Sequence, residues 1–110
     1  MNILFICSAN KDRSRTAENY FSEYYPKFHF GSAGTNKNIC NQLGTNYICE
    51  EQLKWADKIF VMEQKHLKAI KTLTNNKYTN KINVLNIKDE YKYGSKELIE
   101  LLRSKISLPD

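Results

Sequence analysis

The sequence of 110 residues lacks any long hydrophobic run, and its first apolar stretch, residues 3–6, ends at once in polar residues. A membrane-spanning helix needs about 20 apolar residues in a row, and a secretion signal needs an apolar core of roughly 7–15. Neither is present, so the sequence predicts a cytoplasmic protein that has no membrane partner. The length fits one domain, residues 1–110, and a hydrophobic content of 41% suffices for a buried core.

Cysteine is scarce, with only Cys7, Cys40 and Cys49. An odd count without a secretion signal argues against a disulfide framework. No Cys-x-x-Cys pair occurs, and only two histidines could supplement the thiols, so no metal site is expected.

Dense basic blocks, internal repeats and low-complexity tracts are absent as well, although the net charge is +5. Lysines spread in this way are typical of a solvated surface, or of an overall field that steers an anionic substrate. Nucleic acid is therefore not an expected partner.

What the sequence does contain is an alternation of apolar strand patterns and helical patterns. The first helix begins near Ser14, ends before Pro26, and should bury Ala17, Tyr20, Phe21 and Tyr24. Residues 36–47 are expected to be a loop with little regular structure. The predicted strands are 1–6, 28–32, 58–62 and 82–87, and the later helices are 50–56, 64–73 and 95–106. Such alternation predicts an α/β domain with three α/β/α layers and a four-stranded parallel sheet.

The polar segment that follows the first strand, Cys7 to Ser14, has the composition of a phosphate-binding loop. A tight turn between strand and helix points successive backbone N–H groups inward, and the helix adds its positive end. Arg13 can pair bidentately with two phosphate oxygens. The same positive surroundings favour the thiolate of Cys7, which is the nucleophilic form. The segment therefore predicts cysteine-dependent attack on a phosphoester.

A second polar segment should lie beside this loop. Residues 88–94 follow the fourth predicted strand, and parallel strands bring their carboxyl ends to one edge of the sheet, where ligands bind. Asp89 is thus a candidate general acid, with Glu90 as its competitor. Tyr91 and Tyr93 could line the cleft or could equally be aromatic residues at the edge of the core.

Four segments in the right order resemble the low-molecular-weight protein tyrosine phosphatase family. These are the loop that ends in Arg13-Ser14, the Ser-Ala-Gly-Thr run 32–35, the stretch 55–63 and the Asp-Glu-Tyr run 89–91. The resemblance implies hydrolysis of phosphotyrosine or a small aryl phosphate through a phosphocysteine, without a metal or organic cofactor. A phosphate or sulfate ion is expected to fit the loop.

The resemblance also implies roles for single residues. Cys7 would carry the phosphoryl group, Arg13 would bind its oxygens, and Asp89 would protonate the leaving group and then activate water. Ser32 would support the loop from behind, and Tyr91 and Tyr93 would wall the cleft. The remaining residues expected to bind phosphate or shape its loop are Ser8, Ala9, Asn10, Lys11, Asp12 and Ser14.

The sequence departs from this family at three places. Asp12 stands where a second, protective cysteine is usual, so the redox switch should be missing. Unless its side chain points to solvent, the charge of Asp12 near the loop would oppose the thiolate. Glu90 replaces a proline, which puts the rigidity of the acid loop in doubt. The stretch between Thr35 and Trp55 is short, and one helix of the family is expected to be missing there.

Three alternatives remain open. Arsenate reductases share the loop and relay a disulfide through two further cysteines, for which Cys40 and Cys49 are available. A phosphoserine phosphatase on the same fold is the second alternative. The third is a phosphate- or phosphopeptide-binding module without turnover, favoured by Asp12 and the missing proline.

Overall fold

The computed structural model describes residues 1–109 and contains four strands and five α-helices within them. The strands are β1 (Asn2–Cys7), β2 (His29–Gly34), β3 (Lys58–Val61) and β4 (Ile82–Val84). The helices are α1 (Arg13–Tyr24), α2 (Lys37–Leu43), α3 (Glu50–Trp55), α4 (Gln64–Thr74) and α5 (Lys96–Lys105). A single 3-10 turn, Thr79–Lys81, leads into β4.

All strand pairs are parallel, in the order β2-β1-β3-β4. Side chains alternate along β1, which is buried on both faces. Phe5 packs with residues of α1 and α5 on one face, whereas Leu4 and Ile6 pack with residues of α3 and α4 on the other. The predicted three-layer arrangement with a four-stranded parallel sheet is therefore confirmed.

The strand order also fixes where a site can form. The chain leaves β1 for β2 on one side, while β3 lies on the other side of β1, so a crevice opens beyond the carboxyl ends of β1 and β3. Cys7 is the last residue of β1, and Glu63 follows β3 by two residues. The topology thus brings the predicted nucleophile to the switch point of the sheet.

The prediction of a structureless loop over residues 36–47 was wrong, because α2 lies there. Its ends are set by local chemistry rather than by apolar periodicity. The Asn36 side chain accepts a hydrogen bond from the Ile39 N–H at 3.1 Å, and Gly44 ends the helix at φ 70°. Only Cys40 of its seven residues is buried, so the apolar signal was weak.

Two further expectations need correction. The strand predicted over 82–87 ends at Val84 because Asn86 adopts φ 57°, although the N–H of Ile87 still donates to the Met62 carbonyl at 2.8 Å. Tyr24 is 60% exposed instead of buried, since it is the last residue of α1 and its ring lies on that of Tyr20.

Among residues 1–109, no helix combines the length and the apolar character needed to cross a membrane.

Gly34 marks the closest approach of β2 to the segment after β1. A Cβ atom at Gly34 would lie 2.4 Å from the Ser8 carbonyl oxygen and 2.7 Å from the Cys40 Sγ. The next residues exploit this approach, since the Thr35 N–H donates to the Cys7 carbonyl and the Asn36 N–H to the Ser8 carbonyl, both at 3.0 Å. The glycine is therefore required by space and not by backbone dihedrals.

We predict that Gly34→Ala lowers the free energy of unfolding by about 2 kcal/mol or more, because the added methyl group must displace backbone atoms. Gly31→Ala is the matched control, since its Cβ would meet only side-chain atoms at 3.5 Å and beyond. Urea unfolding of both variants checks this. Equal stability of Gly34→Ala and the wild type would show that β2 does not press against the loop.

Candidate active site

The segment after β1 bends sharply at Asn10, which has φ 54° and is fully buried. This left-handed conformation is tolerated by asparagine better than by most residues. Each polar group of the Asn10 side chain has a partner. Its Nδ2 donates to Ser14 Oγ at 2.8 Å and to Ser32 Oγ at 2.9 Å, and its Oδ1 accepts from the Asn46 N–H at 3.1 Å. The bend is thus held from inside the protein.

The Ser32 hydroxyl completes this network. Its oxygen accepts from Asn10, so its own proton is free to go to Glu18 Oε1, with which it forms a short hydrogen bond. Ser32 is 1% exposed and lies on β2 behind the loop. A carboxylate thereby terminates a chain of hydrogen bonds that begins at the loop.

The thiol of Cys7 faces the first turn of α1. Its Sγ lies 3.0 Å from Ser14 Oγ, and both residues are buried. Because Ser14 Oγ already accepts a proton from Asn10, its own hydroxyl proton can be donated to sulfur.

Arg13 lies at the start of α1 and is 1% exposed. Its Nη1 donates to Glu63 Oε2 at 2.5 Å and to the Ile87 carbonyl at 2.8 Å. Its Nε lies 3.6 Å from Asp89 Oδ1. Since both hydrogen bonds to protein use Nη1, the Nε–Nη2 edge is the one that can present a bidentate fork to an anion.

A cleft of about 230 Å³ opens above the sulfur. It is lined by charged and loop residues together with two apolar side chains of α2, namely Cys7, Ala9, Lys11, Asp12, Arg13, Asp89, Ile39 and Leu43. The Asp89 side chain is largely exposed, whereas Glu90 is not among the lining residues. A thiol, a guanidinium group and a carboxylate therefore share one small cleft.

Among residues 1–109, no three side chains of His, Cys, Asp or Glu cluster as the ligands of a metal ion would.

Several solved structures share this architecture. A low-molecular-weight protein tyrosine phosphatase from Bacillus subtilis is 24% identical, with 94% of this chain and 93% of that chain covered, at a TM-score of 0.70. The YwlE protein of Bacillus subtilis, named an arginine phosphatase, is 23% identical over 94% of each chain, also at 0.70. Wzb of Vibrio vulnificus, solved with benzylphosphonate, is 17% identical over 93% of this chain and 89% of that chain, at 0.71. The chain has the low-molecular-weight phosphatase fold.

No family model matches the chain, and no curated protein matches it. The resemblance drawn from the four sequence segments is thus confirmed at the level of the fold, by structural likeness.

Within this phosphatase fold, the remaining loop residues have definite places. Ser8 Oγ lies 2.8 Å from His66 Nε2, and the Ala9 carbonyl accepts from Thr45 Oγ1 at 2.6 Å. Lys11 is exposed at the rim of the cleft. Of the six predicted loop residues, Ala9, Lys11 and Asp12 line the cleft, whereas Ser8, Asn10 and Ser14 do not.

The two predicted wall tyrosines lie apart from the cleft. Tyr91 packs against the core cluster that contains Phe5 and α1 residues. Tyr93 is 53% exposed, and its hydroxyl accepts a hydrogen bond from Asn19 Nδ2 on α1 at 2.5 Å. Neither is among the residues that line the cleft, whereas Ile39 and Leu43 are.

Sequence reasoning missed Glu63 and His66, which support Arg13 and Ser8. Glu63 follows β3, so the rule that placed Cys7 at a strand end could have singled it out. His66 lies three residues further on and accepts a hydrogen bond from the Glu63 N–H at its Nδ1, at 3.0 Å. Its Nε2 must then carry the proton that Ser8 accepts.

Both groups are shifted by their surroundings. Burial pushes the pKa of Glu63 upward, but the hydrogen bond and the charge of Arg13 outweigh it and hold the pKa below its usual value. Burial, joined by the charge of Arg13, lowers the pKa of His66 from 6.5 to about 4. His66 is therefore neutral near pH 7.

We predict that His66 makes the free energy of unfolding fall with pH already below about 6.5, which is above the pH range in which most carboxylates take up protons. In the unfolded chain His66 takes up a proton near pH 6.5, whereas in the folded protein its pKa is about 4. The contribution of His66 to the free energy of unfolding is therefore fully present above pH 6.5 and is lost as the pH falls from 6.5 to about 4. The loss is at most about 3 kcal/mol. It is measured by urea unfolding from pH 7.5 to 4.5.

His66→Gln should flatten this profile, because glutamine can still accept from the Glu63 N–H but carries no proton to lose. His29→Gln, which changes an exposed histidine, is the control and should follow the wild type. An unaltered slope in His66→Gln would contradict the assignment of a buried neutral imidazole.

Proposed function

We propose that the protein is a cysteine-dependent phosphatase that hydrolyses phosphotyrosine or a related aryl phosphate. The observation that carries the proposal is the joint placement of Cys7, the Nε–Nη2 edge of Arg13 and Asp89 in one cleft. The shared fold with named phosphatases supports the same conclusion.

In the first step the Cys7 thiolate attacks phosphorus, and the bond from phosphorus to the phenolic oxygen breaks. The Nε–Nη2 edge of Arg13 holds two oxygens of the phosphoryl group, whose charge is spread over them in the transition state. Backbone N–H groups of the loop and the N-terminus of α1 add to this field. Ser14 supplies the hydrogen bond that stabilises the thiolate when it leaves again.

Asp89 is proposed to give its proton to the departing phenolate. In the second step it accepts a proton from water, whose oxygen attacks the phosphocysteine and releases phosphate and the Cys7 thiolate. The position of Asp89 beside Arg13 supports this role, because the leaving oxygen departs from a group that the arginine holds. Glu90 does not line the cleft.

The walls of the cleft favour an aromatic leaving group. Ile39 and Leu43 lie one turn apart on α2 and are 37% and 49% exposed, so they offer apolar area to a phenyl ring. Cys7 is only 3% exposed, and a phosphate on a tyrosine ring reaches further from the peptide backbone than one on serine. Both features favour phosphotyrosine over phosphoserine.

The alternative of an arsenate reductase depends on a cysteine relay. Cys40 is buried on α2 with its Sγ 3.8 Å from the Ser8 carbonyl, whereas Cys49 is exposed at the start of α3. All three cysteines are free. Unchanged phosphatase turnover after Cys40→Ser and Cys49→Ser would exclude an obligatory relay in that reaction.

The proposal predicts a characteristic pattern of rates on aryl phosphates. Cys7→Ser should abolish turnover, since the hydroxyl is a far weaker nucleophile. Asp89→Ala should slow phenyl phosphate roughly 100-fold while affecting 4-nitrophenyl phosphate much less, because a good leaving group needs little protonation. Glu90→Ala is the matched control in the same loop.

Phosphopeptides carrying phosphotyrosine, phosphoserine or phosphoarginine then distinguish the substrate classes. Fastest hydrolysis of phosphotyrosine supports the proposal, and faster hydrolysis of either other peptide contradicts the substrate assignment. If Glu90→Ala loses most of its activity while Asp89→Ala keeps the wild-type rate, the general acid is Glu90 and not Asp89. Tight binding of phosphate without turnover of any substrate would contradict the phosphatase proposal and favour a phosphate-binding module.

A further inference from the structure

The loop of residues 88–94 has little that makes it stiff by itself. It forms no helix or strand, and most of its residues are exposed. A short-range bond from the Glu90 N–H to the Lys88 carbonyl, at 2.9 Å, closes only a local turn. A general acid on such a loop needs support from the rest of the protein.

That support comes from the beginning of α1. The Tyr93 N–H donates to Asp12 Oδ1 at 3.0 Å, and the Gly94 N–H donates to Thr16 Oγ1 at 2.9 Å. Two consecutive backbone amides of the loop thus bind side chains one helical turn apart. Asp12 alone of these acceptors is charged, and hydrogen bonds to charged groups are stronger than neutral ones.

The same contact accounts for the direction of the Asp12 side chain. Asp12 occupies the N-cap position of α1, yet its side chain makes no capping hydrogen bond. It is turned to the loop of residues 88–94 instead, while its charge remains near the positive end of the helix, where a carboxylate is favourable. Asp12, a residue of the phosphate loop, therefore has a partner outside that loop.

We propose that Asp12 is a positioning residue, whose carboxylate anchors the Tyr93 amide and so holds Asp89 over the cleft. This inference rests on the proposed function, in which Asp89 is the general acid. Asp12 fixes one end of the loop, and Arg13 fixes the other through the Ile87 carbonyl at 2.8 Å. Adjacent residues of the phosphate loop thus set the place of the acid relative to the phosphoryl group.

A rival role for Asp12 must be separated from this one, because its side chain also borders the cleft and could act as an acid itself. Asparagine distinguishes the two roles, since it keeps the oxygen that accepts from Tyr93 but cannot donate a carboxyl proton. Alanine removes both. Serine suits a helix N-cap and preserves folding, but its side chain is too short to take the place of Asp12 Oδ1.

The experiment compares kcat on phenyl phosphate and on 4-nitrophenyl phosphate for the wild type, Asp12→Asn, Asp12→Ala and Asp12→Ser. Displacing a general acid by about 1 Å lowers the rate on the order of 100-fold. Asp12→Ala and Asp12→Ser should therefore lower the ratio of kcat on phenyl phosphate to kcat on 4-nitrophenyl phosphate by roughly 10- to 100-fold. Asparagine should keep the wild-type ratio, whatever its effect on both rates together.

Hydrogen exchange of the Tyr93 amide gives a second readout that does not depend on turnover. The amide should exchange faster in Asp12→Ala and Asp12→Ser, and should stay protected in Asp12→Asn. A merely structural role would lower stability without changing the ratio of the two rates.

Three results would overturn the proposal. An unchanged ratio in both alanine and serine variants would show that Asp12 does not position the acid. If Asp12→Asn lowers the ratio as much as Asp12→Ala does, Asp12 acts as a proton donor. A wild type that hydrolyses neither substrate would refute the proposed function first, and this inference with it.

Discussion

A buried guanidinium is the constraint on which the site depends. Arg13 is 1% exposed, and removing a cation from water costs several kcal/mol unless partners replace the lost hydration. Glu63 and the Ile87 carbonyl provide them, so the segments after β1, β3 and β4 are drawn to one point. Because both bonds use Nη1, the Nε–Nη2 edge faces Asp89, whose Oδ1 lies 3.6 Å from Nε. In the proposed function this edge binds the phosphoryl group of the substrate.

The loop around this cation is shaped by its neighbours more than by its own propensity. Asn10 in the left-handed region costs of order 1 kcal/mol or more, which three hydrogen bonds to Ser14, Ser32 and Asn46 offset. Gly34 leaves room for the loop to press against β2. The sulfur, the arginine and the acid are consequently held by separate elements that meet only in the folded chain.

Much of the fold was predictable because its signals are local. The buried run of β1 and the apolar stripes of α1 and α5 follow from residue periodicity, and parallel strands bring Cys7 and Asp89 to one edge. The helix α2 was missed because only Cys40 is buried, and its apolar side chains Ile39 and Leu43 face the cleft. The pairing of Glu63 with Arg13 joins residues 50 positions apart, which no local pattern reports.

The central claim is that Cys7 itself receives the phosphoryl group. The direct test is rapid acid quenching of the wild-type protein during turnover of an aryl phosphate, followed by mass spectrometry of the intact chain and its peptides. The account predicts one added phosphoryl group, located on the peptide that contains Cys7, and its absence in Cys7→Ala. Steady turnover with no phosphorylated protein at any quench time, or a phosphoryl group on another residue, would contradict it.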